Sequence, residues 1–132
     1  MQYDAQLASA KIEKQLFNCN EAIYWTTDQV VMIEDKTVHA YCRNAATNML
    51  YYGTGVLGDD GKASLTMYLL AENVNSIAIV NAKTTTEDGK TLVKYVQLQM
   101  ELERNDKTYT VEKTVSLRNK PELKQYEVSF VY

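Results

Sequence analysis

The sequence predicts an all-β fold: an antiparallel β-sandwich or flattened barrel of about eight or nine strands, preceded by one N-terminal helix. The first reason is composition. The 132 residues include ten tyrosines and a single proline, and 45% of them are hydrophobic. That is enough apolar material for one folded core, and aromatic and β-branched side chains suit a pleated, half-buried surface. The second reason is periodicity, which changes from about 3.6 residues to about 2 after Asn20. The third is a recurring turn phrase between apolar runs. Glu34-Asp35-Lys36-Thr37, Asp59-Asp60-Gly61-Lys62, Glu87-Asp88-Gly89-Lys90 and Asn105-Asp106-Lys107-Thr108 all read as hairpin tips. Asp-Gly supplies the positive φ of a tight hairpin, and Asp or Asn closes a turn on its own backbone.

Asp4 is placed to cap a helix running from Ala5 to about Phe17. Ala5, Ala8, Ile12 and Leu16 fall on one stripe, with Lys11, Glu13 and Lys14 on the other side. The stripe is poor in large side chains, so the helix needs a sheet or a partner to pack on, and an extended arm is the alternative. Residues 1–20 therefore form an N-terminal helix or arm, and residues 21–132 the sandwich domain.

Alternation gives each strand its faces. Val38, Ala40 and Cys42 point inward, against His39, Tyr41 and Arg43. Along the longest run Leu92, Val96, Leu98, Met100 and Leu102 share the inner face, opposite Val93 and Tyr95. Tyr109, Val111, Val115 and Leu117 follow the same logic, and the closing strand turns Tyr126, Val128 and Phe130 inward. Val30–Ile33 and Ile77–Val80 are apolar on both faces, which predicts central strands covered on both sides or strands covered by the helix. Pro121 marks a bend before the last strand.

Most chemistry is excluded by count or by spacing. Fourteen Lys and Arg against seventeen Asp and Glu give a net charge of −3, without the clustered basic field that nucleic acid needs. No apolar run is long enough for a signal peptide or a membrane span, so the chain is expected to be made in the cytoplasm. Cys19 and Cys42 stand outside any CxxC pair and are expected as reduced, buried thiols. His39 is the only imidazole, and an odd separation along one strand sends it to the face opposite Cys42, so the two cannot share a proton. One His and two distant Cys make no zinc site, and Asp59, Asp60, Glu87 and Asp88 lack the alternating order of a calcium loop. No metal or cofactor is expected. Glu101 and Glu103 share a face with Cα atoms about 6.5 Å apart, but the surrounding polar face offers nothing to raise either pKa. Gly53-Thr54-Gly55-Val56-Leu57-Gly58 matches a phosphate-loop pattern but leads to a turn and a strand rather than a helix.

What remains is a set of outward side chains. The face assignments send Tyr41, Tyr68 and Tyr95 outward, with His39 and Arg43 beside them. Tyrosine buries a large area at low entropic cost and keeps a polar tip, as binding surfaces require. The expectation is a non-catalytic assembly module that contacts copies of itself or other subunits. Phage or virus particles use such modules as head decorations or tail accessory proteins, and the chain would then be incorporated into a virion. The alternative is that the same aromatics bind carbohydrate or another ligand, in a concave strip or in a groove near the glycine-rich loop. If the tyrosines instead line the second face of the sheet or lie under the helix, they are packing residues.

Overall fold

The computed structural model describes residues 2–132, with side chains from Leu7 onward. One helix, α1 (Gln2–Asn18), opens the chain, so the N-terminal segment is a helix and not an arm. Asp4 falls inside it rather than ahead of it; the side chains of Asp4 and Ala5, and the capping and stripe roles expected of them, lie outside the described residues. The strands are β1 (Ala22–Thr26), β2 (Gln29–Glu34), β3 (Thr37–Asn44), β4 (Met49–Val56), β5 (Lys62–Ala71), β6 (Val74–Glu87), β7 (Lys90–Arg104), β8 (Lys107–Ser116), β9 (Glu122–Leu123) and β10 (Glu127–Val131). All four expected tips are hairpin connections. In three of them both central residues have positive φ, at Asp35 and Lys36 (48° and 71°), Asp88 and Gly89 (51° and 76°) and Asn105 and Asp106 (51° and 61°), the geometry that matches strand twist.

The strands form one sheet in the order β10-β5-β4-β3-β2-β1-β9-β7-β6, with β8 on the other edge of β7. Pairing is antiparallel except at two places, where β9 runs parallel to β1 and β10 parallel to β5. The cause is the return path after Pro121. Glu122–Leu123 lies along β1, the Lys124 amide donates to the Ile23 carbonyl at 3.1 Å, and the chain then crosses to β5. One C-terminal segment thus joins both edges of the β1–β5 meander.

Two cores follow from the alternation along β2 and β3. Val30, Met32 and Tyr41 face α1 and β6–β8, where they pack with Ile12, Leu16, Ile77, Val96, Leu98, Met100 and Leu102. Val31, Ile33, Val38, Ala40 and Cys42 face the other way and pack with Leu57, Leu65 and Met67, covered by Tyr126, Val128 and Phe130. Among the described residues this second core draws on the β1–β5 meander, Leu57 and β10, so its burial depends on the meander curling on itself with β10 as the closing piece. Val30–Ile33 is covered on both sides, as expected.

Two face assignments need correction, and bulges are the reason. Lys83 pairs with Tyr95 and Thr84 with Val93, so Lys94 is an extra residue that reverses parity; Val93 is fully buried and Leu92 only half-buried. Ile77–Val80 does not form a central strand. β6 ends the sheet, and a bulge at Val80 between the Ile79 and Asn81 pairs leaves that side chain 50% exposed. Within the glycine-rich stretch, a Cβ at Gly53 would stand 2.2 Å from Met67 Sδ and one at Gly55 2.3 Å from the Ser64 carbonyl oxygen. These glycines let β5 approach β4 closely; they do not cradle a phosphate.

Candidate functional site

The expected binding residues do not form one platform. Register places Tyr41 opposite Tyr52, and Tyr52 opposite Tyr68, so three tyrosines cross β3, β4 and β5 in a row on the helix-facing side. α1 lies over one end of that row. Tyr41 is fully buried beneath it, which corrects the outward placement: the face was assigned rightly, but the helix covers it. Tyr68 is 56% exposed. Tyr95 sits half-buried on β7, in the other half of the sheet, opposite Ser116.

Beneath α1 a polar ring interrupts the apolar seam. The Tyr41 hydroxyl donates to Gln15 Oε1 at 2.5 Å, and Gln15 Nε2 lies 3.4 Å from His39 Nδ1 and 3.5 Å from the Tyr52 hydroxyl. Tyr52 Oη lies 2.7 Å from the same Nδ1, and the Lys11 ammonium sits 3.9 Å from the centre of the Tyr52 ring. The ring closes when Nδ1 accepts, which is the neutral imidazole protonated at Nε2. Burial pushes His39 below the usual histidine range; Glu34 works against that shift and Lys11 adds to it. Burying Ile12 and Leu16 stabilises docking by roughly 1.5–3 kcal/mol each, against about 1 kcal/mol for a neutral hydrogen bond. The ring therefore orients the helix more than it holds it. Gln15, Tyr52 and Lys11 were missed in the sequence. The Tyr41–Tyr52 register and the position of Gln15 beside Leu16 on the helix would have found the first two.

Arg43 is not a surface ligand either. Its Nε and Nη2 bond Asp28 Oδ1 and Oδ2 at 2.8 and 3.1 Å, and Nη1 bonds Asn48 Oδ1 at 2.5 Å. The side chains of Arg43 and Asp28 are only 11% and 20% exposed. This fork ties the β1–β2 turn to the β3–β4 turn, where Asp28 and Asn48 both have positive φ.

The thiols are built for packing. Cys42 faces the second core, away from His39, and burial pushes it up to about 11; Cys19, in the first core, rises to about 12 for the same reason. Both are free. Glu103 bonds Asn75 at 3.2 Å at the edge of a polar hollow of about 640 Å³ between turns, and Glu101 does not line that hollow, so the two carboxylates share no cleft. The hollow beside the glycine-rich loop, about 320 Å³, has Val56, Asp60, Lys62 and Glu127 along it and no aromatic ring. Among the described residues no three of His, Cys, Asp and Glu gather as a metal site, and no helix is long and apolar enough to cross a membrane. No protein-family model, curated protein or solved structure matches this chain.

Proposed function

We propose that the chain is a non-catalytic assembly module that works by contact with other protein subunits, copies of itself first. The observation that carries this reading is a second apolar stripe on α1. Ala8, Ile12 and Leu16 already dock the helix, yet Leu7 and Phe17 on its outer side remain 53% and 43% exposed. Ala10 and the charged Lys14 lie between them on the same face, at intervals of three and four residues, so three apolar side chains and one cation share it. A single stripe suffices for docking; a second one in water is unfavourable until a partner covers it.

The outer stripe borders a groove of about 410 Å³ against β8, with Ala10, Phe17 and Val115 as its apolar lining and Glu13, Lys14, Thr114 and Ser116 beside them. At the opposite limit of the sheet, Val131 and Tyr132 leave the end of β10 apolar and exposed, on a strand paired along one edge only. A module with contact surfaces on both sides suits a repeating assembly, and incorporation into a phage or virus particle is the setting we propose for it.

Light scattering over a micromolar concentration series tests the reading. The wild-type chain should exceed monomer mass, and Leu7→Glu combined with Phe17→Glu should give a folded monomer. A wild-type chain that stays monomeric throughout, or a double variant that associates unchanged, overturns it.

A further inference from the structure

We infer that His39 is a proton-sensitive latch between α1 and the sheet: the neutral imidazole closes the seam, and its protonation loosens the helix. The polar and charged groups facing it come from every element packed there. Gln15 and Lys11 come from α1, Glu34 from β2, Tyr41 from β3 and Tyr52 from β4.

The hydrogen-bond directions are what make the arrangement sensitive. Because the Tyr41 hydroxyl donates to Gln15 Oε1, the amide nitrogen of Gln15 is turned toward His39 Nδ1. The Tyr52 hydroxyl accepts from Gln15 Nε2 at 3.5 Å and lies 2.7 Å from the same ring nitrogen, to which it donates when Nδ1 is unprotonated. A proton at Nδ1 would set donor against donor for Gln15 and force the Tyr52 hydroxyl to reverse. Lys11, over the Tyr52 ring, puts a second cation beside the imidazolium, and Glu34 is the counter-charge. Burial outweighs Glu34, so the docked seam favours the neutral ring. Docking is therefore complete above the ordinary histidine range and weakens as pH falls through and below it.

The effect is a shift in how often the seam opens, since the buried apolar stripe still holds the helix. For each unit by which the docked pKa lies below that of the opened seam, opening rises about tenfold in acid. Hydrogen exchange of the full chain, corrected for the intrinsic pH dependence and followed at about pH 7.5 and about pH 5, tests this on either side of the ordinary histidine pKa of about 6.5. The expected result is faster exchange in acid across α1, with the centre of β7 unchanged. His39→Asn keeps an acceptor near the Nδ1 position but cannot titrate, and should abolish the difference. Lys11→Met, at an exposed position, should reduce it without disturbing the fold. Equal protection of α1 at both pH values, a difference that persists in His39→Asn, or a loss shared equally by β7 overturns the inference.

Discussion

Arg43 shows how a residue that looks like a ligand in sequence becomes a structural tie. Its fork meets Asp28 at two oxygens while its backbone amide also bonds the Asp28 carbonyl at 2.9 Å, so one residue closes the turn twice. Charge-assisted, bidentate contacts of this kind are shielded from water and hold their geometry. Arg43→Met keeps the aliphatic stem and removes the fork, leaving the Asp28 carboxylate without its counter-charge. We expect a loss of about 2–3 kcal/mol, read as a lower urea midpoint with an unchanged slope. Adding Asp28→Asn should recover part of the loss, because the amide needs no counter-charge and Asn tolerates the left-handed conformation held at φ 67°. Alternation along β3 correctly put Arg43, Tyr41 and His39 on one face. What covers that face depends on where α1 docks, and no local pattern carries that information.

At the level of elements the turns were the most legible feature, because left-handed backbone is chemically costly for most residues and so marks the sequence. Lys36 is the informative exception. It sits at φ 71° in the β2–β3 turn, where a Cβ is strained, and its exposed side chain makes no demand for lysine. Lys36→Gly should therefore raise stability by about 0.5–1 kcal/mol, the relief of left-handed strain being partly offset by glycine's greater freedom when unfolded. The Lys36 amide already bonds Glu21 Oε1 at 2.8 Å and its carbonyl accepts from the Leu57 amide at 2.8 Å, so the turn geometry survives the change. A thermal melt of the variant measures this, and a lower midpoint contradicts it. Strand faces were legible only up to the first bulge. Each extra residue, Lys94 in β7 or Val80 in β6, leaves composition and hydropathy untouched while reversing every side chain beyond it. The same limit applies to the short parallel pairings of β9 and β10, which arise from the path after Pro121 and carry no repeat to read.

For the molecule as a whole, two cores close around ionisable groups that must stay neutral, and this sets its response to alkali. Burial pushes the Cys19 thiol up to about 12, with Glu34 adding to the shift, and the Cys42 thiol to about 11 against a weak contact from Gln29 Nε2 at 3.6 Å. Burial also raises the Tyr24 phenol to about 12, helped by Cys42, and lifts Tyr41 further still. In the unfolded chain thiols ionise near 9.0 and phenols near 10.0. Above those values the unfolded chain releases protons that the folded chain keeps, so stability falls as pH rises, by about 1.4 kcal/mol per pH unit for each group in its window. Below about pH 7.5 these groups are almost wholly neutral in both states and contribute almost no slope. Urea midpoints at about pH 8 and about pH 10 should therefore diverge, with the thiols, which ionise first, responsible for most of the initial decline. Replacing both with Cys19→Ala and Cys42→Ala lowers stability at every pH through the lost packing, but should flatten the curve between those two points. Equal slopes in the wild type and the double variant would locate the alkaline sensitivity outside the two thiols.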